Sequence, residues 1–204
     1  MAEKPPTGSA KSELRRALLA ARRARSPKAR REAAAALAVA ALGLPELAGA
    51  DTVAAYVSVG GEPGTRDLVD ALRAAGKQVL LPLLLPDNDL DWAAYEGPDS
   101  LVEVAHPGKM RLWEPSGPPL GPDAVARADA VLLPGLAVDG RGMRLGRGGG
   151  SYDRVLERLE RAGAHPALVV LLYDDEVVAR VPEEPHDHPV QAVATPSGVR
   201  RFSA

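Results

Sequence analysis

Apolar positions follow two different spacings along the chain, and each spacing predicts a different kind of element. Short apolar runs predict buried strands at residues 52–58, 78–81, 130–133, 167–172 and 190–194. Apolar residues three and four positions apart predict helices at 66–75 and 153–161, with a shorter helix at 175–180. Because strands and helices alternate, the pattern predicts an α/β fold with an open, mostly parallel sheet and helices on both faces.

Two helices are predicted before the first strand. Ser9 is expected to cap the first helix, in which Leu14 and Leu18 lie on one stripe and basic residues elsewhere. Pro27 follows Ser26 and begins the second helix, which runs to about residue 42. Further short strands are predicted beside the main sheet at 90–95 and 101–104. A Pro- and Gly-rich connection at 114–122 follows them. Residues 1–8 are predicted to be a loose tail, and residues 9–204 one α/β domain.

The composition excludes several classes of function. The chain has 204 residues and no cysteine, so thiol catalysis, zinc-thiolate sites and disulfides are excluded. Its formal net charge of −2 gives no general attraction to nucleic acid or to an anionic membrane, and neither is expected as a partner. The chain has no apolar run of about 20 residues, and its polar start lacks a signal-peptide core. We therefore expect a cytoplasmic protein whose function resides in a local site.

The most informative segment is RLGRGGGSYDRVL, residues 144–156, between a predicted strand and a predicted helix. It contains four glycines: Gly146, Gly148, Gly149 and Gly150. Glycines let successive backbone N–H groups turn toward one anion, and the start of the following helix also favours negative charge. Arg144 and Arg147 add two cations. The segment predicts a phosphate cradle, although it fits neither a Walker A loop nor a dinucleotide fingerprint; a flexible glycine turn with solvated arginines is the alternative.

Other charged residues are compatible with two interpretations. Lys11 and Arg15 are one helical turn apart and face either one anion or solvent. Glu62 follows the first predicted strand, where it either accepts hydrogen bonds from an N–H-rich ligand edge or is an ordinary loop charge. Asp153 either complements the helix dipole or binds Mg²⁺, with Asp187 as a candidate second acid.

Two other chemistries are poorly supported. His186 and His188 flank Asp187, but their spacing matches no standard zinc motif. Ser151 as a nucleophile would need a GxSxG elbow, which the sequence lacks.

The motifs resemble those of the 5-formyltetrahydrofolate cyclo-ligase family, also called methenyltetrahydrofolate synthetases, over nearly the whole chain. The matching segments are KSELR from Lys11, AYVSVGGEPGT from Ala55, WEP from Trp113, PGLAVDGRGMRLGRGGGSYDR from Pro134, and VPEEPHD ending at Asp187. The resemblance implies a NagB/RpiA/CoA-transferase-like α/β fold and a cytoplasmic one-carbon enzyme, monomeric or weakly dimeric. It implies an ATP- and Mg²⁺-dependent C–N ligase that converts 5-formyltetrahydrofolate to 5,10-methenyltetrahydrofolate and releases ADP and phosphate.

The resemblance also assigns roles to individual residues. Lys11 and Arg15 hold ATP phosphates, and the loop wraps the triphosphate with Arg144, Leu145, Gly146, Arg147, Gly148, Gly149, Gly150, Ser151 and Tyr152. Arg147 and Arg144 are the catalytic candidates, because they stabilise charge on the transferred group. The folate ligands are Val57, Glu62 and Tyr152. The Mg²⁺ ligands, directly or through water, are Asp153 and Asp187.

The chain departs from the family pattern at two positions. Ser151 replaces a second tyrosine found in many relatives, and Gln191 stands where an aspartate is familiar. Two alternatives remain: a same-family enzyme acting on another N-formyl compound, and a catalytically silent nucleotide-binding protein. Lys11, Arg147 and Asp153 are all present, which argues against the silent protein.

Overall fold

A computed structural model describes residues 7–203, and a seven-stranded sheet lies at its centre. In chain order, the strands are β1 (Thr52–Ala54), β2 (Gln78–Leu84), β3 (Leu90–Ala94), β4 (Leu101–Val104), β5 (Leu112–Pro115), β6 (Ala130–Leu133), β7 (Ala137–Val138), β8 (Arg144–Leu145), β9 (Ala167–Leu171), β10 (Ala192–Thr195) and β11 (Gly198–Arg201). The central sheet has the order β11-β10-β9-β6-β1-β2-β3. Its inner pairs are all parallel, whereas β3 and β11 pair antiparallel at the two edges. The predicted mostly parallel sheet is confirmed.

Helices cover both faces of this sheet, as the sequence pattern predicts. The helices are α1 (Thr7–Ala24), α2 (Pro27–Leu42), α3 (Pro45–Ala48), α4 (Arg66–Ala74) and α5 (Ser151–Arg161). Successive strand residues point to opposite faces, so Val53 of β1 packs in the cluster formed by α2 and α4. Its neighbour Ala54 packs in the cluster that contains the apolar side of α5. Each face thus has its own apolar core.

The N-terminal helices differ slightly from the prediction. Ser26 caps α2 as expected, because its Oγ accepts a hydrogen bond from the Ala29 N–H at 3.1 Å. The first helix already begins at Thr7, before the predicted cap Ser9. Residues 1–6 of the predicted tail lie outside the described part of the chain, and the division into a tail and one domain stays a prediction. Among the described residues, no helix is long and apolar enough to cross a membrane.

Two predicted elements are shorter in the structure than the sequence predicts. The strand predicted at 52–58 stops at Ala54, and beyond it Tyr56 and Ser58 form hydrogen bonds with Thr65. Thr65 Oγ1 donates to the Tyr56 carbonyl at 2.6 Å and accepts from the Ser58 N–H at 2.9 Å, so Thr65 does not cap α4 with its side chain. The prediction of a helix at 175–180 is wrong, because only a 3-10 turn forms there, at Asp174–Glu176.

The sequence pattern does not predict two short strands. β5 begins before the predicted connection at 114–122 and pairs antiparallel with β4. β11 has the sequence GVRR, which contains too few apolar residues to show a strand pattern, and it pairs antiparallel with β10 at the sheet edge. The predicted final strand at 190–194 lies at Ala192–Thr195.

Candidate functional site

A cavity of about 410 Å³ lies beyond the carboxyl ends of β1 and β6, the edge at which open α/β sheets bind ligands. One part of its wall is the predicted glycine loop, contributing Arg144, Gly146, Arg147, Gly148, Gly149 and Gly150. Another part is apolar and is formed by Pro82, Leu84, Leu90, Met110, Leu112 and Trp113. The volume falls in the range of small-molecule sites. The cavity therefore offers both polar and apolar surface to bound ligands.

The glycine loop has backbone conformations that favour glycine. Gly148 has φ of +97° and Gly150 has φ of +77°, both in the left-handed region. Gly150 is also the residue from which α5 begins, so the loop leads directly into a helix N-terminus with free N–H groups. A Cβ built on Gly149 would meet no atom within 4 Å, so this residue borders open space. Backbone and helix end together suit an anion.

The two predicted catalytic arginines differ in how firmly they are held. The Arg144 side chain is only 5% exposed; its Nη1 donates to the Pro134 carbonyl at 3.0 Å and its Nη2 to Asp153 Oδ1 at 3.2 Å. Burial lowers the pKa of Arg144 from its ordinary value, but a guanidinium remains charged in proteins. Arg147 lines the cavity and is exposed. Arg144 is thus a fixed charge in the wall, whereas Arg147 is an exposed one.

The basic residues of α1 reach two different groups. Arg15 Nε donates to the Gly146 carbonyl at 2.9 Å, which places this guanidinium on the glycine loop. Lys11 Nζ instead lies 2.7 Å from Glu184 Oε2 and 2.8 Å from Asp187 Oδ2. Burial opposes the charge on Lys11, but its bonds to the two carboxylates raise its pKa above the ordinary value. In the structure as it stands, the two side chains therefore do not share one partner.

The three predicted folate ligands all line the cavity. Val57 is buried, and Glu62 Oε2 accepts a hydrogen bond from the Val59 N–H at 2.8 Å. Burial raises the pKa of the Glu62 carboxyl, and this hydrogen bond together with the charge of Arg147 opposes the shift. The Tyr152 ring meets the Tyr56 ring edge to face, with centroids 6.4 Å apart. A flat ligand would therefore find both an acceptor and aromatic surface here.

The predicted metal-binding acids have different neighbours. Asp187 lies with Glu184 and His186 in a group whose candidate ligand atoms are within 4.8 Å of one another. Asp153 is outside this group and pairs with Arg144. Within residues 7–203, Asp153 Oδ2 and Asp187 Oδ1 accept no hydrogen bond, although His186 Nε2 lies 3.7 Å from Asp187 Oδ1. His188 is also outside this group.

Three further predicted or noted positions can be placed. Leu145 is buried behind the loop, and Ser151 begins α5 and lines the cavity. Gln191 precedes β10 and its side chain accepts a hydrogen bond from the Leu168 N–H, toward the amino end of the sheet. Gln191 is therefore engaged in holding two strands.

Sequence reasoning missed one buried and one partly buried pair near the cavity. Arg22 forms two hydrogen bonds with Glu176, and Glu114 pairs with His106. A signal for Arg22 existed, because positions 11, 15, 18 and 22 follow helical spacing and share one face of α1. Glu114 lies within the WEP segment, but its spacing from other polar residues in the sequence does not indicate a role.

Comparison with known proteins identifies the family of the chain. The model of the 5-formyltetrahydrofolate cyclo-ligase family matches residues 7–196. The chain is 41% identical to the 5-formyltetrahydrofolate cyclo-ligase of Mycolicibacterium smegmatis over 191 residues, covering 91% of this chain and 93% of that protein. It is 34% identical to the enzyme of the same name from Escherichia coli over 180 residues, covering 87% and 96%.

Solved structures give the same result for the fold. The solution structure of Aquifex aeolicus 5,10-methenyltetrahydrofolate synthetase matches with a TM-score of 0.77 and 29% identity, covering 95% of this chain and 93% of that one. The Mycoplasma pneumoniae enzyme of the same name matches with a TM-score of 0.69 at 18% identity, covering 91% and 98%, and supports the fold alone.

Proposed function

The chain belongs to the 5-formyltetrahydrofolate cyclo-ligase family, and we propose that it cyclises 5-formyltetrahydrofolate to 5,10-methenyltetrahydrofolate with conversion of ATP to ADP and phosphate. The observation that carries this proposal is the composition of one cavity wall. A glycine loop with two arginines and an apolar surface with Glu62 line the same space. A triphosphate and a folate ring can therefore meet there.

The chemistry explains why the cavity needs both parts. A formamide oxygen is a poor leaving group, so the formyl oxygen attacks the γ-phosphorus and the bond from that phosphorus to ADP breaks. The N10 amine then attacks the formyl carbon, inorganic phosphate leaves with the former formyl oxygen, and N10 loses its proton as the ring closes. The protein must align the two substrates and neutralise phosphate charge, which are the main contributions to phosphoryl transfer in general.

The glycine loop and α1 are the proposed ATP site. The loop residues 144–152 wrap the triphosphate, with N–H groups from the loop and the start of α5 facing the phosphates. Arg15 already contacts the loop through the Gly146 carbonyl, and Lys11 lies close to Asp187. Arg147 is exposed at the cavity and free to follow the phosphoryl group, while the buried Arg144 supplies a fixed charge.

The proposed folate site consists of Val57, Glu62 and Tyr152. Val57 gives apolar contact and Tyr152 an aromatic surface on which the ring can stack. Glu62 accepts hydrogen bonds from N–H groups of the pterin ring. The charge of Arg147 acts on Glu62, and we expect this part of the ring to lie beside the phosphate region.

The proposed Mg²⁺ site uses Asp153 and Asp187. Carboxylate oxygens suit this ion, which commonly takes one or two of them together with phosphate oxygens and waters. On each acid, the oxygen that accepts no hydrogen bond from residues 7–203 fits that donor set, with direct or water-mediated contact. When bound, the ion would neutralise phosphate charge, while Arg144 and Lys11 hold the two carboxylates in place.

Incubation of the purified protein with 5-formyltetrahydrofolate, ATP and Mg²⁺ tests the proposal. We expect the absorbance band of the methenyl product to appear in proportion to ADP release. ATP binding without product would favour a silent nucleotide-binding protein, and ADP release only with another N-formyl compound would favour the same-family alternative. Cytoplasmic location and a monomeric or weakly dimeric state are also part of the proposal; light scattering of the active protein checks the latter.

A further inference from the structure

Glu114 is a buried carboxylate in the apolar part of the cavity wall. It lies on β5, is 7% exposed and lines the cavity near Leu84 and Leu112. Burying a carboxylate among apolar side chains is costly unless hydrogen bonds or charges compensate it. Its partners therefore indicate what it does.

Both contacts that hold Glu114 converge on one of its oxygens. Oε1 accepts the Leu84 N–H at 3.1 Å and lies 2.7 Å from His106 Nε2. Leu84 is the last residue of β2, and His106 lies in the turn between β4 and β5, so the carboxyl group is fixed from two sides. Oε2 accepts no hydrogen bond from the described part of the chain. Structural bonding therefore leaves one oxygen available to a ligand.

The chemistry of that oxygen limits the ligand group that it can bind. A carboxylate acts as an acceptor, so its partner must present N–H or O–H donors. A 2-amino-4-oxo-pyrimidine ring presents an amino group and a ring N–H side by side, and its flat faces suit an apolar wall. Glu62, the other glutamate that lines the cavity, interacts electrostatically with Arg147 and already accepts a hydrogen bond from the Val59 N–H. The two glutamates thus differ in their neighbours and can serve different parts of one ring.

We propose that Glu114, oriented by His106, binds the 2-amino group of the pterin ring and is a specificity-determining residue for the folate. This inference rests on the proposed function for the identity of the substrate. It adds a contact for the amino-pyrimidine edge and leaves to Glu62 the N–H groups nearer the reacting centre.

Pairing each variant with an altered substrate tests this assignment. Wild type, Glu114→Gln and Glu62→Gln are assayed with 5-formyltetrahydrofolate and with its analogue in which a methyl group replaces the 2-amino group. We expect wild type and Glu62→Gln each to lose at least about tenfold in kcat/KM on this replacement, because each retains the charged acceptor. Glu114→Gln should lose less than about threefold, because its charged acceptor is already gone. The KM for ATP should not change in Glu114→Gln.

Two outcomes would overturn the assignment. Equal losses in wild type and Glu114→Gln would show that Glu114 does not contact the amino group, and a reduced loss only in Glu62→Gln would assign the contact to Glu62. Should Glu114→Gln fail to fold, His106→Phe and Glu114→Asp take its place and are expected to reduce the analogue loss in the same direction. A wild type inactive on 5-formyltetrahydrofolate would overturn the proposed function as well, so the two failures are distinguishable.

Discussion

Arg22 and Glu176 form a buried ion pair that joins α1 to the 3-10 turn at Asp174–Glu176. Arg22 Nε lies 2.7 Å from Glu176 Oε1, and Nη2 lies 2.9 Å from Oε2. The same Nη2 donates to the carbonyl of Gly135, which lines the cavity, and both side chains are 2% exposed. Lys11 and Arg15 lie on the same helix face, so this pair helps to hold the helix that carries them.

Glu176→Gln should lower the free energy of unfolding by about 3 kcal/mol, because it leaves the Arg22 charge buried without its counterion. Urea unfolding measures this loss. Asp175→Asn is the matched control, since Asp175 pairs with Arg25 at an exposed position and such pairs contribute about 0–1 kcal/mol. Similar losses in the two variants would mean that the buried pair contributes no more than a surface pair.

The sequence predicts the central strands and helices of this fold better than the long-range polar contacts around them. β6, α5 and β9 carry apolar residues at regular spacing, and their burial follows directly from it. Arg22 resembles the other arginines of α1 in sequence, and its burial depends on Glu176, which is 154 positions away. The burial of Glu114 is equally hard to predict from the sequence, because only strand pairing brings its partners Leu84 and His106 together. Local spacing carries no information about such distant contacts.

Arg147→Ala should lower kcat by about a hundredfold or more while changing the KM for the folate less than about threefold. Arg147 is exposed at the cavity, so its charge matters most when the phosphoryl group is transferred. Steady-state rates at saturating ATP with varied folate separate the two parameters. Arg154→Ala, on the exposed side of α5, is the control and should leave both unchanged. Equal effects of Arg147→Ala on kcat and folate KM would contradict a role in the transition state.

Lys11→Met should raise the KM for ATP at least about tenfold and leave the KM for the folate unchanged. The ammonium group lies between Glu184 and Asp187, so its removal takes away a cation and also leaves these acids without their partner. Glu184→Gln separates the two effects, because it breaks one ion pair but retains the ammonium. Initial rates with varied ATP give the result, and a KM increase in Glu184→Gln as large as in Lys11→Met would exclude a direct role for the Lys11 charge.

The pH dependence of folate use should reflect the carboxyl group of Glu62. Burial raises its pKa above the ordinary value; the Val59 N–H and the charges of Arg147 and Arg22 oppose this shift, and Glu176 adds to it. A protonated carboxyl group is a weaker acceptor, so kcat/KM for the folate should fall as the pH drops through the raised pKa.

This acidic limb should lie at a higher pH than that of an unperturbed glutamate, and it should be absent in Glu62→Gln, which is less active at every pH. The profile is measured from about pH 5 to about pH 8 at saturating ATP. Glu103→Gln removes a surface carboxyl group and should preserve the limb. A limb that persists unchanged in Glu62→Gln would assign it to another group.

Gly149→Ala should separate folding from nucleotide binding. Gly149 does not have a positive φ, and an added Cβ would meet no protein atom within 4 Å, so the free energy of unfolding should change by less than about 0.5 kcal/mol. The added methyl group enters the open space where the triphosphate is proposed to lie, so the KM for ATP should rise about tenfold or more. Gly148→Ala differs in a defined way: its φ of +97° makes alanine strained, so that variant should lose stability as well. Unfolding curves and ATP titrations of both variants give the comparison, and normal ATP use by Gly149→Ala would place the phosphates elsewhere.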